Sequence, residues 1–108
     1  MKYNIENILK EKILVLDGAM GTAIQKLNLG EEDFCGGCHC DRSQKGNNDI
    51  LNITHPEFIR EIHKRYLQAG ADIIETNTFN GNRISQADYA SETKVYDINY
   101  NGAIIARE

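Results

Sequence analysis

Apolar residues recur at helical spacing from the start of the chain, where Ile5, Ile8 and Leu9 predict a short helix. It leads into Ile13-Leu14-Val15-Leu16, an apolar run rich in β-branched residues, bounded by charge and ending at Asp17-Gly18; this pattern predicts a strand buried on both faces. From Ala19 to Leu29 the apolar positions are Met20, Ile24 and Leu27, followed by Gly30, which predicts a helix of roughly two turns with a glycine stop. Residues 30–53 keep no period, and GEEDFCGGCHCDRSQKGNND reads as a long loop. Loops of that length inside a domain are uncommon and are usually functional or flexible.

A capping box follows, with Thr54 at the N-cap, Pro56 in the first turn and Glu57 three residues on. The helix it opens places Phe58, Ile59, Ile62, Tyr66 and Ala69 on one face and Arg60, Glu61, Lys64, Arg65 and Gln68 on the other, and Gly70 ends it. Asp72-Ile73-Ile74-Glu75-Thr76 predicts a second strand. Strand, helical crossover and strand make a βαβ unit with parallel strands and a right-handed crossover. A polar helix near 84–90 and another from about residue 93, with Val95, Ile98, Gly102, Ile105 and Ala106 on one stripe, complete the pattern. That last stripe is still running at Glu108, as in a helix cut before its end.

Composition narrows the partners. Twelve Lys plus Arg against 16 Asp plus Glu, a net charge of -4 and no basic stripe argue against a nucleic-acid partner. No apolar run approaches the ~18 residues of a membrane span. The first residues alternate charge with apolar groups, unlike a secretory signal, so a cytoplasmic protein that does not engage membranes is expected.

Two polar clusters fall at the ends of the predicted strands. Asp17-Gly18-Ala19-Met20-Gly21-Thr22 follows the first; ligands of parallel α/β folds sit at that edge, where an Asp can meet an ammonium group and glycines let backbone approach. With N–H groups of the following helix turned to a carboxylate, the segment suits an amino-acid zwitterion. The alternative is an Asp N-cap with turn glycines. Glu75-Thr76-Asn77-Thr78-Phe79-Asn80 follows the second strand and would share the rim with Asp17, although Thr and Asn there also suit a capping loop.

Cys35-Gly36-Gly37-Cys38-His39-Cys40 invites three readings: c-type haem attachment, a redox pair, or a zinc knuckle completed by His39 or Asp41. Haem attachment needs export, and a redox pair usually opens a helix after a strand rather than lying mid-loop. Zinc is the best of the three, and free reduced thiols rank ahead of it. His55, in the first turn of the capped helix, and His63, at the border of its apolar stripe, read as structural.

Taken together, 13–22, Lys45-Gly46-Asn47-Asn48-Asp49-Ile50-Leu51 and 69–80 resemble the N-terminal part of the homocysteine S-methyltransferase family, most closely its cobalamin-dependent branch. The resemblance implies an α/β fold, the first two βα units of an eight-stranded (β/α)8 TIM barrel with homocysteine at the strand C-terminal face. It implies substrate contacts from Asp17 and Gly18 and from Thr76, with Asn77 beside it. Zinc, held by three cysteines beyond residue 108, would activate the homocysteine thiol, and methylcobalamin, regenerated from methyltetrahydrofolate on separate domains, would supply the methyl group. Cys35, Cys38 and Cys40 do not match those zinc positions, so no catalytic residue or metal ligand is expected in this chain. Such a barrel needs ~250 residues. Residues 1–108 are therefore expected to be a homocysteine-binding domain truncated at its C-terminal end and inactive in methyl transfer alone. A methyltransferase using betaine or S-methylmethionine is the alternative within the family; a small Cys-rich metal-binding or interaction module is the alternative outside it.

Overall fold

The computed structural model describes residues 4–36 and 42–108. It is built from helices: α1 (Ile5–Glu11), α2 (Met20–Gln25), α3 (Glu31–Cys35), α4 (Leu51–Thr54), α5 (Pro56–Gln68), α6 (Arg83–Gln86) and α7 (Val95–Arg107), with 3-10 turns at Asn48–Ile50, Ala87–Tyr89 and Glu92–Lys94. No described helix is long and apolar enough to cross a membrane.

The expected α/β architecture, two βα units of a (β/α)8 TIM barrel, is overturned. Among the described residues there is no sheet, and the two predicted strands meet in a single parallel bridge between Leu16 and Ile73. Side chains take the backbone groups that would have extended the ladder. The Asp72 carboxylate accepts from Val15 N at 3.0 Å, and the Asp17 carboxylate accepts from Glu75 N at 3.1 Å. Between them remain only Asp72 N and Ile73 N donating to the Val15 carbonyl and Asp17 N donating to the Ile73 carbonyl. Nor is the first segment buried on two faces, since Ile13 is 88% exposed and Leu16 55%. Parallel pairing is sustained where both faces are covered, and here they are not.

The helix predictions hold better. Asn4 caps α1 by accepting from Glu6 N and Asn7 N. α2 is shorter than expected, because Asn28 turns into the left-handed region before Gly30, and Gly30 then caps α3 rather than ending α2. The stretch 30–53 is not one loop: α3 and a 3-10 turn lie in it and α4 begins in it, and Glu31 ties it together, its carboxylate accepting from Ser43 Oγ, Gln44 N and Lys45 N. The capping box does not form. Thr54 ends α4 with its hydroxyl on the Ile50 carbonyl, and His55 is the N-cap of α5, with Pro56 at the first helical position.

The core gathers Ile24, Phe34, Ile50, Leu51, Ile59, Ile62 and Ile105 from five helices and the 3-10 turn before α4. On α7 the predicted stripe faces inward through Ile98, Gly102 and Ile105. Helix α7 approaches so closely at Gly102 that a Cβ there would lie 2.9 Å from both Asn52 Nδ2 and Thr78 Cγ2.

Candidate functional site

The bridge carries the two polar clusters to one place. Asp17 and Gly18 on one side and Glu75, Thr76 and Asn77 on the other line a cavity of about 360 Å³, with Asn48 and Asp49 closing it from the 3-10 turn before α4. All four residues singled out for substrate contact, Asp17, Gly18, Thr76 and Asn77, line it. A larger groove of about 680 Å³ runs between α2 and α5, but its walls are mainly apolar side chains such as Ala23, Leu27, Phe58 and Ile62.

Each member of the site is held differently. Asp17 spends one carboxylate oxygen on Glu75 N; a carboxylate offers roughly four acceptor positions, so capacity for a ligand donor remains. Thr76 is exposed, and its hydroxyl shares a 2.7 Å hydrogen bond with that of Thr78. Asn77 is turned into the wall: it is 5% exposed, and its amide nitrogen donates to the Asn48 carbonyl and to Asn52 Oδ1. Asn52 in turn donates to the carbonyls of Asn77 and Ile98, tying the segment to α7. Phe79, 93% exposed, stands at the lip.

Sequence reasoning quoted Asp49 only within a longer match and assigned it no part. It is 2% exposed, and Asn80 N donates to its carboxylate at 2.8 Å. Burial pushes its carboxyl above the usual carboxylate range, with the Asn80 hydrogen bond opposing the shift. Its one sequence signal was its place next to Asn47-Asn48, of which Asn47 is also buried. With Asp17 and Glu75 it makes three carboxyl groups on one cavity that no Lys or Arg lines. Such a wall accepts hydrogen bonds and favours a positively charged group.

His63, within reach of the charge of Asp17, is read from the sequence as a border residue and is here 3% exposed. Neither ring nitrogen has a hydrogen-bond partner. Burial lowers its basicity, and the charge of Asp17 partly offsets that. His55 has the structural part expected of it, stacking on Phe58 and joining Asp33 at 3.2 Å and Glu57 at 2.7 Å.

Of the Cys-rich loop, Cys38, His39, Cys40 and Asp41 lie outside the described residues. Cys35 is disulfide-bonded, which overturns the expectation of reduced thiols there and leaves it no thiolate for a metal. Among the described residues no group of three His, Cys, Asp or Glu side chains is arranged to hold a metal ion. The described donor set therefore does not fit zinc.

A family model described as homocysteine S-methyltransferase matches residues 14–108, a span that contains the whole cavity wall.

Proposed function

We propose that this chain, which belongs to the homocysteine S-methyltransferase family, binds homocysteine by its amino-acid end in the cavity between Asp17 and Thr76. The observation that supports the reading is the convergence of Asp17, Asp49 and Glu75 on one small cavity without a basic residue. The ammonium group of the ligand is paired with Asp17, a contact that is charge-assisted and so worth roughly twice a neutral one. Gly18 contributes its backbone to that wall, the Thr76 hydroxyl offers a neutral partner, and Asn77 holds the wall in place.

Methyl transfer would form a bond from the ligand's sulfur to the methyl carbon as the bond between that carbon and its donor breaks and the thiol proton leaves. Cys35, Cys38 and Cys40 do not match the family's zinc positions, so the work assigned to this chain is binding and orienting the amino-acid end. The methyl donor that the 45–51 match favours is methylcobalamin, regenerated from 5-methyltetrahydrofolate as in methionine synthase, with zinc and cobalamin held outside this chain. Betaine or S-methylmethionine is the alternative donor. The rival reading as a Cys-rich metal module loses ground because Cys35 is in a disulfide.

Isothermal titration of the 108-residue chain with L-homocysteine tests the reading. Saturable one-to-one binding without turnover, lost in Asp17→Ala, is expected. Absence of binding to a folded chain overturns it.

A further inference from the structure

The Asp17-Gly18-Ala19 turn is fixed from two sides. In front, Asp17 N donates to the Ile73 carbonyl at 2.9 Å and its carboxylate accepts from Glu75 N. Behind, the Tyr66 hydroxyl donates to the Ala19 carbonyl at 2.8 Å. The same ring lies flush against Gly18: a Cβ built there would come within 2.9 Å of Tyr66 Oη, 3.1 Å of Cε1 and 3.3 Å of Cζ. Gly18 is not among the positive-φ glycines, so its lack of a side chain serves space and not backbone conformation. The space is occupied by Tyr66.

We propose that Tyr66 is a positioning residue for the Asp17 turn. Its hydroxyl on the Ala19 carbonyl and its ring against Gly18 fix the direction in which the turn faces the cavity, and so how tightly an amino-acid ligand is held. The inference rests on the reading of the cavity as the homocysteine site. Tyr66 suits the part because of what carries it. Helix α5 is anchored by Ile59 and Ile62 in the core, and the Tyr66 carbonyl itself accepts from Ala71 N where the chain leaves the helix toward Ile73. One residue thus links a rigid helix, the turn bearing Asp17 and the start of the segment that pairs with it. A phenylalanine would keep the ring against Gly18 and lose only the hydrogen bond to the Ala19 carbonyl.

The test is a double-mutant cycle on the full chain, titrated with L-homocysteine well below the unfolding temperature. Tyr66→Phe should raise Kd roughly threefold to tenfold, the range of one hydrogen bond, with little change in Tm. Gly18→Ala should cost more, because a methyl group cannot share the space with the hydroxyl. In the Gly18→Ala/Tyr66→Phe double variant the contact at 2.9 Å is gone, so part of the Gly18→Ala loss should be recovered. An unchanged Kd in Tyr66→Phe, or strictly additive losses, would overturn the proposal. If the wild-type chain does not bind homocysteine, the functional reading fails, and the positioning claim is decided by the backbone amide resonances of 18–20. Displacement of these by Tyr66→Phe, with the rest of the spectrum preserved, supports it; no displacement overturns it.

Discussion

The carboxylate of Asp17 accepts a hydrogen bond from the backbone N–H of Glu75 at 3.1 Å, joining the ends of two segments 58 residues apart in the chain. This one contact closes the rim of the cavity and also ends the parallel pairing, because the side chain takes a donor that a further ladder bond would have used. Asp17 is thereby both a structural tie and the charge best placed to meet a ligand.

Replacing Asp17 with Ala should weaken homocysteine binding by about tenfold or more, the scale of a charge-assisted hydrogen bond. Asp17→Asn keeps an acceptor for Glu75 N without the charge and should fall between. Titration calorimetry and thermal melting on the same samples separate the roles: a fall in Tm with Kd unchanged would make Asp17 a cap only.

His63 should make stability depend on pH. Burial lowers its pKa in the fold, so the unfolded chain binds a proton that the folded chain refuses. The stability linked to neutral His63 is complete above the unfolded value of ~6.5 and is lost as pH falls from there toward the folded value. Asp49 acts with the opposite sign: its raised pKa adds stability at low pH that is lost as pH rises through the folded value. His63→Leu removes two unpartnered nitrogens and should raise stability at pH 7 by about 1 kcal/mol. Urea unfolding at several pH values between 5 and 7.5 should show the slope in the wild type and a flatter line in the variant.

Asn52 should be among the costliest polar side chains to remove. Truncation to Ala strands the Asn77 carbonyl in a buried place, at about 1–3 kcal/mol, and also removes the second donor on the Ile98 carbonyl, which keeps its helical partner. Gly102→Ala presses on the same group. Ala gains ~1 kcal/mol in helix propensity over Gly, but overpacking costs about 1–3 kcal/mol, and with two atoms at 2.9 Å a net loss is expected. Chemical denaturation measures both.

Dialysis against EDTA should leave the melting temperature unchanged and release no stoichiometric zinc, since Cys35 is in a disulfide. Release of one zinc per chain with a fall in Tm, abolished by Cys→Ser at positions 35, 38 and 40, would restore the metal-module reading.

The grouping of the candidate residues around one cavity was more legible in the sequence than the fold. Asp17, Gly18, Thr76 and Asn77 were singled out from the ends of two apolar runs together with the family resemblance, and all four line one cavity. What the pattern could not give was the state of the runs themselves. Ile13-Leu14-Val15-Leu16 has strand composition, but composition does not say whether anything covers its faces, and Ile13 and Leu16 stand exposed. Thr54 and Glu57 have the spacing of a capping box, yet the backbone was already helical at Thr54 because α4 ends there. Asp49 and Asn52 were missed, and the depth of His63 with them, for a shared reason: each is polar, each is buried, and a polar letter read alone predicts solvent.

The sequence by itself determined the long helices and their inward stripes at Ile59 and Ile62 and at Ile98, Gly102 and Ile105. These depend on local spacing, which a linear pattern carries. Only the tertiary structure decided that the two apolar runs touch at one bridge, that Asn77 faces the wall, and that Tyr66 occupies the space left by Gly18. Those outcomes depend on which distant group reaches a backbone donor or fills a gap first, a competition between residues some 25 to 60 positions apart that no local period records.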